Sequence, residues 1–113
     1  AVPRTSYTGK TATIPNMKEA WKIEKTHPFV QASATALEKL EQPVKYGYWN
    51  FGTDLSVVCG RDKKPAIGYS PMQELYVHRP MDMVRTDFME KALAGYAGIF
   101  LELSELPVSA FSL

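Results

Sequence analysis

"THPFVQASATALEKLEQPVKYGYWNF", residues 26–51, sets the fold class. Thr26 or His27 can cap a helix there, and Pro28 fits its first turn, where a missing N–H costs nothing. Val30, Ala34 and Leu37 recur at helical spacing, flanked by Phe29, Ala36 and Leu40. Pro43 is the expected stop, and the aromatic run Tyr46–Phe51 then reads as a strand. A helix followed directly by a strand signals an α/β layer.

The neighbouring segments continue that alternation. "GTDLSVVCGRDKK" predicts a turn, a short helix over Leu55–Cys59 and a stop at Gly60. "PAIGYS" reads as a short buried strand. A long final helix is expected, with Asp87 and Glu90 spaced as a capping box. Its face is Phe88, Ala92, Tyr96, Ile99 and Leu103, ended by Pro107. Gly95 and Gly98 lower its propensity, which implies close packing against them. Upstream, Val2–Tyr7 reads as an edge strand because of Pro3, and Gly9–Met17 as loop. Trp21 and Ile23 alternate with Lys22 and Glu24, as in a short extended docking arm. The order predicts an α/β layer with parallel strands. Two or three strands are few for a sheet that helices must cover on both faces. The layer is therefore expected to be part of a larger one, or to complete itself by oligomerising.

Composition narrows the function classes. The chain has 113 residues, 45% of them apolar, which suits one globular domain. Thirteen basic and 12 acidic residues leave a formal charge of +1, so neither nucleic acid nor a membrane surface is an expected partner. No apolar run approaches the roughly 20 residues of a membrane span. No signal peptide is visible, and the missing initiator methionine fits a processed or trimmed start. The single cysteine, Cys59, excludes an internal disulfide and a cysteine-rich zinc site, and a cytoplasmic location is expected.

Few residues can carry chemistry. His78, in "ELYVHRPMDMV" (residues 74–84), follows the "AIGY" strand, and open α/β sheets place their sites at strand carboxyl ends. It could be a zinc ligand whose tautomer Asp82 fixes, or an ordinary loop histidine. His27 reads as a helix cap, and Asp54, which follows Thr53, as the cap of the short helix. Cys59, between Val58 and Gly60, reads as a buried thiol. No nucleophile elbow, phosphate loop or dinucleotide fingerprint is present.

The colinear run "PRTSYTG", "WKIEKTHPFVQAS", "YWNFGTD", "KPAIGYSP" and "VHRPMDMV", ending in a long helix, resembles the carboxyl-terminal part of a zinc-dependent family of aminoacylases and carboxypeptidases. That family includes acetylornithine deacetylase and succinyl-diaminopimelate desuccinylase. The nearest likeness is to the branch of peptidases and deacylases linked to selenium metabolism.

The resemblance implies a partial three-layer αβα sheet of a zinc exopeptidase-like catalytic domain, preceded by one strand of a lid or dimerisation domain. Residues 1–20 would be that last lid strand and its linker, and residues 21–113 the end of the catalytic domain. It further implies a hydrolase of amide bonds in acylated amino acids or small peptides, expected to be a homo-oligomer. His78 falls on the last zinc-ligand position. Thr53 and Asp54, with Ser70, Pro71 and Met72, fall on the two turns that shape the substrate pocket. Ser70, Met72 and Leu55 stand where that family has glycine, adding bulk and removing freedom for positive φ. Asp82 stands where it has Glu. Its other ligands come from an H-x-D segment, a bridging aspartate and a Glu–Glu pair, whose first glutamate is the general base. This chain contains none of them, so by itself it is expected to hold no catalytic residue and to be inactive. The alternative expectation is a non-catalytic, self-associating interaction module.

Overall fold

The computed structural model describes residues 2–14 and 18–113. They form a small mixed α/β fold. β1 (Val2–Thr5) and β2 (Thr11–Ile14) make a two-stranded antiparallel sheet. Helix α1 spans Pro28–Lys39, and helix α2 spans Thr86–Ser104. A π-helical turn covers Ser56–Arg61, and a 3₁₀ turn covers Val108–Phe111.

The α1 expectation holds at its start. His27 is the N-cap, with Nδ1 accepting from the Phe29 amide at 3.2 Å. Nε2, left to donate, bonds the Ser112 carbonyl at 2.9 Å. One imidazole therefore caps the helix and ties down the carboxyl-terminal tail. Phe29 and Phe111 pack edge-to-face beside it, 5.9 Å between centroids. The stop is not Pro43. Glu41 takes the left-handed conformation (φ 56°), its amide bonds the Glu38 carbonyl, and Gln42 bonds Leu37. This is a Schellman ending with glutamate where glycine is usual.

α1 packs on α2, and the core between and around them is built from small residues. Val30, Ser33, Ala34 and Ala36 are buried from α1, and Ala92, Gly95 and Ile99 from α2. Two α2 glycines admit close neighbours, as their spacing implied. The Tyr69 ring lies on Gly95, and Leu40 lies on Gly98. Tyr69 is fixed there by its hydroxyl, which donates to Gln42 at 2.7 Å, and by Tyr96, ring-to-ring at 5.1 Å. Burial raises the Tyr69 phenol above its ordinary pKa. The nearby Tyr96 adds to that, and the Gln42 bond opposes it.

Several expectations are corrected. The sheet is an antiparallel hairpin, not a set of parallel strands. β1 is shorter than Val2–Tyr7, and part of the expected loop Gly9–Met17 is β2; Pro15–Met17 lie outside the described residues. Gly9, at φ 81°, makes the turn between the strands. Neither Tyr46–Phe51 nor "PAIGYS" has a ladder partner among the described residues. β-propensity cannot make a strand without a neighbour to pair. The two segments touch through side chains instead, with Trp49 lying over Gly68. The helix expected over Leu55–Cys59 is the π turn, which runs through Gly60 to Arg61. The Asp87–Glu90 capping box does not form. Arg85 is the N-cap residue, and its guanidinium holds Asp87 at 2.7 Å, drawing that carboxyl below its ordinary pKa.

Candidate functional site

His78 sits in consecutive turns over residues 74–81. Tyr76 bonds back to Gln73 and Val77 to Glu74. The chain then reverses at His78 itself, whose φ is +60°. Histidine tolerates that region better than most residues, but it still costs free energy. The side chain is left exposed, with one side of the ring occupied. Phe51 meets it edge-to-face, 5.7 Å between centroids and 73° between planes. Phe51 in turn stacks on Trp49 at 5.4 Å. Glu74 Oε1 accepts from the Asn50 amide at 3.4 Å, a long bond that lays the His78 turn along residues 49–51.

The other site candidates leave from this aromatic junction in two directions. Thr53 and Asp54 follow Phe51. Thr53 Oγ1 accepts from the Leu55 amide at 3.2 Å, and the Thr53 and Asp54 carbonyls accept from Ser56 and Val57, which starts the π turn. No side chain caps the π turn, whose N-cap residue is Leu55, so the capping role expected of Asp54 is not filled; Thr53 Oγ1 bonds only the Leu55 amide ahead of the turn. Asp54 is exposed and lines a shallow cleft of about 210 Å³ with Lys18, Ser56 and Arg61. Ser70, Pro71 and Met72 follow Gly68, on which Trp49 rests. Ser70 Oγ accepts from the Met72 amide at 3.1 Å, closing a tight turn without glycine.

Asp82 does not orient His78. Among the described residues no hydrogen bond joins them, and the Asp82 amide is engaged with the Arg79 carbonyl at 3.0 Å. Nor does any cluster of three or more His, Cys, Asp or Glu among the described residues form a metal-binding group. His78 could supply one ligand, which is too few for zinc. Cys59 is 2% exposed. Burial pushes its thiol up, against the pull of the Ala66 amide and Lys63, so it is a structural thiol rather than a nucleophile.

Three residues at the junction escaped the reading of the sequence: Trp49, Phe51 and Glu74. The first two carry a usable signal, because positions two apart in an extended segment share one face. Glu74 carries none.

Among the described residues no helix is long and apolar enough to cross a membrane. No family model matches the chain, and no solved structure matches it. Over 98 residues it is 32% identical to the uncharacterized protein YgeY of Escherichia coli (strain K12), and equally to the protein of that name in Escherichia coli O157:H7. The match takes in 85% of this chain but 24% of each relative, so the chain spans about a quarter of the length of the curated relatives it matches.

Proposed function

We propose that this chain is the carboxyl-terminal portion of a zinc-dependent hydrolase that cleaves amide bonds of acylated amino acids or small peptides. In that reading His78 is one metal ligand, and Thr53, Asp54 and the Ser70–Met72 turn line the substrate pocket. The remaining ligands and the general base belong to the rest of the larger protein. The described residues of this chain do not fit a complete zinc centre, so no catalytic step is assigned to them.

One observation carries the reading: the Phe51–His78 contact. It holds an exposed imidazole against the segment that leads into Thr53–Asp54, and Trp49 ties that segment to the one that leads into Ser70–Met72. Three stretches distant in sequence therefore converge on one junction. A second observation agrees. Tyr46, Tyr48 and Trp49 are exposed in a segment without a ladder partner. Such a run suits an inner strand of a larger αβα layer whose neighbours come from elsewhere.

The test is the encoding gene together with the intact mass of the natural product. An H-x-D motif and a Glu–Glu pair in frame upstream support the reading. An upstream frame without them, or a natural product of only these 113 residues, refutes it.

A further inference from the structure

His78 is an exposed turn residue, yet a chain of contacts ties its ring to the helix pair. Among the described residues, the hydrogen bonds made by histidine rings both belong to His27. Packing on Phe51, rather than a hydrogen bond, therefore orients the His78 imidazole. Phe51 is itself backed by a second ring. Trp49 stacks on it with 14° between planes and 5.4 Å between centroids. Positions two apart share one face of an extended segment, so the two rings stand side by side along it. Stacked and edge-to-face rings at these separations attract each other.

The far end of the Trp49 indole rests on Gly68. A methyl at residue 68 would meet Cη2 first, then Cζ3 at 2.5 Å and Cζ2 at 3.0 Å. No side chain fits at that range, so the indole fills space that glycine alone leaves free. Gly68 cannot retreat from the ring, because the next residue is clamped. The Tyr69 ring lies on Gly95, its hydroxyl donates to Gln42, and its carbonyl accepts from the Tyr96 hydroxyl.

We propose that Gly68 and Trp49 are positioning residues for His78. The indole, seated on the backbone at Gly68, sets where Phe51 stands and so how the imidazole is aimed. The contacts run from Gly95 on the buried face of α2 through Tyr69, Gly68, Trp49 and Phe51 to His78. The left-handed backbone at His78 and the Asn50–Glu74 bond place its turn. The rings then orient the side chain. Gly68 also leads, two residues on, into the Ser70–Met72 turn, so that turn and His78 are referenced to one point of backbone. The inference rests on the proposed hydrolase only for the use made of His78.

The test is proton NMR of the full chain without metal, read at the His78 ring. The chain has two histidines, and His27, bonded at Phe29 and Ser112, reports whether the fold survives. Nuclear Overhauser effects between the Phe51 and His78 rings are expected in the unaltered chain. Gly68→Ala should abolish them and move the His78 ring signals toward those of free histidine, with His27 unchanged. Trp49→Phe removes the ring atoms that face residue 68. Gly68→Ala combined with Trp49→Phe should therefore match Trp49→Phe alone, whereas independent sites would add. Absence of the Phe51–His78 effects from the unaltered chain overturns the proposal. So does their survival in Gly68→Ala, or a double variant as disturbed as Gly68→Ala. Where the His27 signals show that Gly68→Ala does not fold, Trp49→Ala decides, since it removes the backing ring without crowding. Displaced His78 signals beside native His27 signals then support the proposal, and unchanged His78 signals overturn it. Failure here leaves the hydrolase reading standing, while a larger protein without zinc refutes that reading and leaves this placement intact.

Discussion

Gly95→Ala and Gly98→Ala, nine and six residues before the end of α2, should move stability in opposite directions. An isolated helix would gain about 1 kcal/mol from either change. At Gly95 the added methyl meets the Tyr69 hydroxyl first, then Cζ at 2.6 Å and Cε1 at 2.8 Å. That ring cannot swing aside cheaply, because its hydroxyl holds Gln42 and it packs edge-to-face with Tyr96. Overpacking a core costs about 1–3 kcal/mol, and a ring held on two sides belongs at the upper end. The net for Gly95→Ala is a loss of about 1–2 kcal/mol. For a domain of 113 residues, each kcal/mol lowers Tm by roughly 4 °C. At Gly98 the nearest atom is Leu40 Cδ1 at 3.2 Å, the end of a side chain that can turn, and Ala36 stays at 3.7 Å. Gly98→Ala should therefore stabilise by roughly 0.5 kcal/mol, the propensity gain less a small repacking cost. Urea titration followed by far-ultraviolet circular dichroism measures both. In a Tyr69→Ala background Gly95→Ala should turn stabilising. A neutral or stabilising Gly95→Ala in the otherwise unaltered chain would refute the placement of Tyr69 on that glycine.

Further predictions follow from other contacts. His27→Ala removes the cap on Phe29 and the tie to Ser112 together, and should cost about 1–3 kcal/mol. His27→Asn should recover the cap part alone, and hydrogen exchange in the first turn of α1 distinguishes the two. Cys59 holds its proton more tightly folded than unfolded, so its contribution is whole below its ordinary pKa of 9.0 and is lost as pH rises above it. Denaturation at increasing alkaline pH should show a steeper fall for the natural chain than for Cys59→Ala; parallel curves would count against a buried thiol. Tyr69 adds a loss of the same sign above 10.0.

The helices were legible because each carries a strong local signal. Pro28 after a histidine cap and the Val30–Ala34–Leu37 stripe need no tertiary knowledge. Only the first strand of the hairpin was legible: "TATI" alternates polar and apolar residues, but over four positions that is too short to mark a strand, and its pairing depends on the turn at Gly9. The aromatic segment erred the other way: Tyr46–Phe51 has the composition of a strand, yet a ladder needs a second strand that composition cannot supply. At the site, His78 could be singled out, but its junction with Phe51 could not. That contact depends on a left-handed backbone at His78 and on Glu74 reaching Asn50. Asp87 shows a local rule overridden by a neighbour: spaced to cap α2, it is held by Arg85 instead.

The central claim is that His78 is one ligand of a centre completed elsewhere in a larger protein. It is tested most directly by measuring zinc content and amide hydrolysis of acylated amino acids in that larger protein, with His78 intact and as His78→Ala, beside the isolated 113-residue chain. The account predicts zinc and turnover for the larger protein. It predicts loss of both, by about 100-fold or more in rate, for folded His78→Ala, and no turnover for the isolated chain with added zinc. Full activity of His78→Ala, or hydrolysis by the isolated chain, would contradict it.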